Sequence, residues 1–120
     1  GDVPRVVSRG GDVTVVHKPP GWEVDGSGVA TALHLSAFVR DNVCSVTSRD
    51  AAHDHGFLHR LDTPSSGLVL HAETYAAMQL LRWQQDTHSI AREYLVLVHG
   101  DVRTAMTMDM PLVEKRGGSA

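Results

Sequence analysis

The densest run of side chains capable of chemistry is His59-Arg60-Leu61-Asp62-Thr63-Pro64-Ser65-Ser66-Gly67, which leads into the apolar Leu68-Val69-Leu70. Asp62 follows Arg60 by two residues, in a stretch punctuated by Pro64 and Gly67. A carboxylate in such a turn can project into a cleft from a fixed backbone, with Ser65 and Ser66 free to hydrogen-bond it or the turn. The spacing alone fits an aspartate that merely forms the turn equally well. A second group, His53-Asp54-His55 with His59, offers nitrogen and oxygen ligands close together, as a zinc site requires. Alternating loop histidines are usually solvated, so no metal is expected. The single cysteine, Cys44, excludes an internal disulfide and fits a reducing compartment; within Asn42-Val43-Cys44-Ser45-Val46 it reads as a small buried side chain.

These residues need elements to position them. Val13-Thr14-Val15-Val16-His17 is β-branched and apolar and predicts a strand, closed by the rigid turn Lys18-Pro19-Pro20-Gly21. Thr31 to Val39 reads as a helix with Ala32, Leu35 and Val39 on one face. Asp50 to Gly56 reads as a loop, and Leu68 to Leu70 as a buried strand. Glu73 to Gln85 carries the clearest helical period, with Thr74 as N-cap and Ala77, Leu80, Leu81 and Gln84 in phase. Glu93 to His99 predicts a further strand, ended by Gly100-Asp101. Strands around two helices with short connections predict an α+β domain, with helices packed on a mixed, largely antiparallel sheet.

The chain has 120 residues, enough for one domain and no more. No apolar run approaches the length that crosses a bilayer, and Gly1-Asp2-Val3-Pro4-Arg5 lacks the pattern of a secretory signal, so no membrane association is expected. Net charge is −3, from 11 Lys+Arg against 14 Asp+Glu. Nucleic-acid binders are usually basic, because counterion release supplies much of their affinity. This balance argues against a free-standing nucleic-acid binder unless part of the binding surface lies outside the chain.

Three segments change the weighing. His59-Arg60-Leu61-Asp62, two residues, then Ser65-Ser66-Gly67 resembles the central motif of the RluA-type RNA pseudouridine synthases, with Ser65 where threonine is usual. Val15-Val16-His17-Lys18-Pro19-Pro20-Gly21 is similar to the family's upstream strand and Lys-Pro-x-Gly turn. Arg92-Glu93-Tyr94-Leu95-Val96-Leu97-Val98-His99-Gly100 is similar to its later Lys-x-Tyr strand, with Arg92 in place of lysine.

The resemblance implies a partial catalytic domain over 1–120 that isomerises uridine to pseudouridine in tRNA or rRNA without a cofactor. It implies Asp62 as the catalytic carboxylate. Arg60 is the residue that stacks or contacts phosphate when the base is flipped out, and Tyr94 the aromatic that packs on that base. His59 and Lys18 join them as substrate-binding residues. The expected partner is RNA, the expected state a monomer, and the expected location intracellular, in the cytoplasm, with organelle or nucleus as alternatives. Each residue also has a plainer reading: a surface ion pair for Arg60, a cross-strand aromatic for Tyr94, a solvated turn lysine for Lys18. The family's last motif, Gly-Arg-x-His-Gln-x-Arg, which supplies a basic partner for the aspartate, has no match here. Met110-Pro111-Leu112 resembles the Pro-Ile turn before it, and Gly117-Gly118-Ser119-Ala120 the lead-in to strands not in the chain. The alternative of a different class is therefore a catalytically silent RNA-binding or scaffold fragment.

Overall fold

The computed structural model describes residues 2–26 and 33–112. Three strands form one antiparallel sheet in the order β1-β2-β3: β1 Arg5–Gly10, β2 Val13–Lys18 and β3 Gly67–Ala72. Two helices accompany it, α1 Leu35–Asn42 and α2 Tyr75–Asp86, with a short 3-10 segment at Ala51–Gly56. The α+β class expected from the sequence is the one found.

The strand β2 alternates as its β-branched residues require: Thr14, Val16 and Lys18 face inward and are buried. It pairs in register with β3 from Val13↔Ala72 to Lys18↔Gly67. On its other side β1 returns through Gly11-Asp12, both at positive φ (58° and 63°), the conformation of a tight hairpin turn matched to strand twist. The hairpin is not apparent from hydrophobic pattern, since every residue of Arg5–Gly10 is exposed. Its ladder slips between Val6 and Ser8, which leaves Val7 as an extra residue.

The first helix starts later than its periodicity suggests. Its N-cap, His34, is extended (φ −113°, ψ 130°), while Thr31 and Ala32 lie outside the described residues. The cause is its N-terminal cap: the N–H groups of Leu35 and Ser36 donate to the carbonyls of Glu23 and Val24 at 2.7 and 3.0 Å, so backbone from the loop after β2 replaces a side-chain cap. Leu35 and Val39 are buried as expected. Cys44 is exposed rather than buried. It occupies the left-handed position (φ 56°) just past α1, donates its N–H to Val39 O at 3.0 Å, and turns its sulfur towards Arg40 O. In α2, Thr74 is the N-cap and accepts from Ala77 N at 3.1 Å. Met78 is the residue buried there, whereas Leu80 points outward.

The core unites β2 and β3 (Val16, Val69), α1 (Leu35, Val39), and Val24, Val43 and Phe57 from the connections, with Leu61 and Phe38 packed against it. The expected strand at 93–99 is absent: Arg92 to His99 is irregular, and Leu95 and Leu97 are fully exposed at 105% and 99%. A strand needs a neighbour to hold its peptide groups, and none of the described residues pairs with this stretch. The tail motif at 117–120 lies outside the described residues.

Candidate active site

The segment after the 3-10 turn runs along the outer edge of β3. Phe57 bridges His71, and the Leu58 N–H donates to Leu70 O at 3.3 Å. His59 meets the β3 backbone and Leu61 packs against the core. Arg60 and Asp62 meet in one cleft of about 480 Å³, lined also by Glu23, Val24, Asp25, Leu61 and Thr63. That volume lies within the range of small-molecule sites, roughly 300–1,000 Å³. A smaller cleft of about 250 Å³ adjoins it; Arg60, Val24 and Asp25 line both, and His59, Leu58, Phe57 and Asp54 complete the second.

The backbone around Asp62 is fixed from both ends. Its carbonyl accepts from Ser65 N at 2.9 Å, closing the turn that Pro64 and the serines anticipate. The next carbonyl, Thr63 O, accepts from Gly21 N at 2.8 Å, which docks the Lys18-Pro19-Pro20-Gly21 turn directly behind the carboxylate. Lys18 completes this junction. Its side chain is fully buried (0% exposed), and its ammonium donates to Pro19 O at 3.1 Å, Trp22 O at 2.6 Å and Thr63 O at 3.2 Å. An ammonium has three protons, and three carbonyls take them. Burial pulls the Lys18 pKa down, and the nearby Asp62 carboxylate pushes it back up. The plainer reading of Lys18 as a solvated turn residue is thus overturned; its ammonium is spent on backbone carbonyls and lines neither cleft. Sequence parity carried the signal, because Lys18 follows Val16 on the inward face of β2.

Asp62 itself is exposed in the cleft. Arg60 is exposed too, with its guanidinium anchored by a bond to Asp25 O at 2.6 Å. His59 is half-buried. Its Nε2 accepts from the Leu70 N–H at 3.3 Å, and burial and the charge of Arg92 both lower its pKa. Tyr94 does not line either cleft; its hydroxyl accepts from Arg92, whose guanidinium lies 5.6 Å from the ring centroid.

Two further carboxylates of the main cleft, Glu23 and Asp25, carry no motif that would single them out in the sequence. Each has a histidine beside it: His34 Nε2 lies 3.2 Å from Glu23, and His55 Nε2 lies 3.5 Å from Asp25. His53 bonds Asp50 through Nδ1 at 2.8 Å, and His55 Nδ1 bonds Ser48 O at 2.9 Å. Among the described residues no three His, Cys, Asp or Glu side chains converge as a metal site would need.

Comparison with known proteins gives a consistent result. Residues 12–119 match the family model described as RNA pseudouridylate synthase. The tRNA pseudouridine synthase C of Salmonella typhimurium is 36% identical over 107 residues, covering 87% of this chain and 38% of that protein. The tRNA pseudouridine synthase C of Haemophilus ducreyi is 32% identical, covering 89% and 42%. The ribosomal large subunit pseudouridine synthase D of Xanthomonas campestris is 30% identical, covering 92% and 33%. The chain thus spans about two fifths of the length of the two tRNA enzymes. No solved structure matches it. With the match extending over residues 12–119, the chain belongs to the RNA pseudouridylate synthase family, of the RluA type.

Proposed function

We propose that the chain forms part of a catalytic domain that isomerises uridine to pseudouridine in RNA, with Asp62 as the reacting carboxylate. The observation that carries this reading is the shared cleft of Asp62 and Arg60, built on a backbone clamped by the Lys18 and Gly21 contacts to Thr63 O. In the reaction the bond from uracil N1 to ribose C1′ breaks, the base turns, and C5 bonds to C1′. The C5 proton is released while N1 gains one, so the change is an isomerisation that consumes nothing. A carboxylate held against the sugar serves as nucleophile or as base; either role needs it ionised and shielded from bulk water. The Lys18 ammonium, bonded to Thr63 O, holds the backbone on which the carboxylate sits.

The uridine must leave its stack to reach a cleft of this kind, at a cost of a few kcal/mol. Arg60, on the lip shared by the two clefts, offers a planar cation to fill the vacated position or to meet a phosphate. Tyr94 takes part as the aromatic platform only if its stretch moves onto the cleft when RNA binds. The names of the most similar relatives support tRNA as substrate, and one relative's name refers to ribosomal RNA. Among the described residues no helix is long and apolar enough to cross a membrane.

Tritium release from RNA carrying 5-tritiated uridine tests the reading, because isomerisation detaches the C5 hydrogen. The chain, and the longest protein its gene encodes, are expected to release tritium from a tRNA transcript, and Asp62→Ala to abolish the release. Asp41→Ala, on the exposed end of α1, serves as the control. Release that persists in Asp62→Ala, or that is absent from both forms of the wild type, would favour a silent RNA-binding role.

A further inference from the structure

At the outer edge of β3 both peptide groups of Leu70 face the segment that carries the motif. Leu70 O accepts from Leu58 N, as it would from a neighbouring strand, but Leu70 N–H meets no backbone carbonyl. It meets His59 Nε2 instead, at 3.3 Å. We propose that His59 is a positioning residue whose neutral imidazole substitutes for a strand carbonyl, clipping the Arg60–Asp62 segment to β3, and that protonation opens this clip. The proposal deepens the reading of Asp62 as the reacting carboxylate and rests on it only for its catalytic consequence.

The proton inventory follows from the geometry. A ring nitrogen that accepts an N–H cannot carry a proton, so the neutral ring must hold its hydrogen on Nδ1. That Nδ1 is buried and has no hydrogen-bond partner among the described residues. Adding a proton to Nε2 would set it against the Leu70 N–H, two donors face to face, and the contact must break. Charged groups around the ring pull in both directions. Arg92 acts on it directly, and Arg60, Asp25 and Asp54 line the same small cleft. Asp54 is partly offset by Arg82 at 3.5 Å, and His55 Nε2 lies 3.5 Å from Asp25. The other buried histidine of this region, His71 on β3, is kept neutral by burial down to about pH 4. Burial of the ring and the Arg92 charge both favour the neutral, clipped form, so the clip opens below the ordinary histidine range of about 6.5.

Geometry also selects the test. A glutamine amide places its oxygen near the position of Nε2 and does not titrate, whereas an asparagine amide reaches only to the position of Nδ1. NMR of the chain between about pH 7.5 and pH 5, where His71 stays neutral, reads the Leu70 amide directly. In the wild type the exchange protection of Leu70 should fall with a midpoint below about 6.5. His59→Gln should hold that protection across the range, and His59→Asn should lack it throughout. Equal protection of Leu70 in all three proteins, or a His59 ring that titrates without moving the Leu70 signal, overturns the clip.

A second readout ties the clip to catalysis. Tritium release by His59→Gln should exceed that of His59→Asn by about tenfold or more, since small misplacements of a reacting group are costly. The acidic limb of the pH profile should be displaced or missing in His59→Gln. Equal rates and unshifted limbs in the two variants overturn the positioning role. Loss of the dependence on Asp62, by contrast, would end the functional reading while the Leu70 signals still decide the clip.

Discussion

A lysine ammonium inside a protein is tolerated only when its donors are fully used, and Lys18 meets that condition with three backbone carbonyls. Lys18 joins the turn after β2 to the turn that bears Asp62, so one side chain holds both in place. Lys18→Met should strand the carbonyls of Pro19, Trp22 and Thr63 and cost about 2–4 kcal/mol in urea unfolding. A loss below about 0.5 kcal/mol would show that the junction does not depend on the ammonium. Asp62, Arg60 and the Thr74 cap are all legible in the sequence, because motif or capping chemistry marks them locally. The role of Lys18 is legible only through the parity of β2, and the clip made by His59 not at all, since it depends on which peptide group of β3 lies alongside. Cys44 shows the reverse case: its residue type suggests burial, but its place after α1 puts it in an exposed left-handed cap.

At the scale of elements, β3, the loop after α1 and the 3-10 segment are joined by a polar knot. His71 of β3 is buried, with its Nε2 2.7 Å from the Ser45 hydroxyl, which lies 3.2 Å from that of Thr47; Thr47 in turn donates to Ala72 O. Gly56 completes the knot at φ 82°, where an added Cβ would lie 2.5 Å from Ala72 O and 2.6 Å from Thr47 Oγ1. Burial, the largest influence on His71, lowers its pKa from 6.5 to about 4. The unfolded chain therefore binds a proton more readily than the folded one. The stability tied to neutral His71 is complete above about pH 6.5 and is lost as pH falls towards about 4, amounting to about 3 kcal/mol. Urea midpoints are expected to drop across that window, and the drop to shrink in His71→Gln. Midpoints that stay level from pH 7 to about 4, or an equal drop in the variant, would contradict this. Strands β2 and β3 are legible because the β-branched run of the one and the apolar run of the other pair with each other and bury Val16 and Val69. The strand β1 is concealed because it buries nothing, and its hairpin is set by the Gly11-Asp12 turn. The run at 93–99 has the composition of a strand but lacks a neighbour among the described residues, so composition alone misassigns it.

For the whole molecule, charge and coverage bear on function together. The main cleft presents Glu23, Asp25 and Asp62 against Arg60, and the chain as a whole is at −3, an unfavourable balance for holding a polyanion. The curated relatives are more than twice as long, so cationic surface from outside the matched region is compatible with RNA binding through this cleft. The central claim, that Asp62 performs chemistry on a uridine rather than shaping a turn, is tested most directly by Asp62→Asn, which preserves shape and removes the charge. RNA affinity and tritium release are measured on the same preparation. The variant is expected to bind tRNA within about threefold of the wild type and to release no tritium. Release at the wild-type rate, or a loss explained wholly by weaker RNA binding, would contradict the assignment.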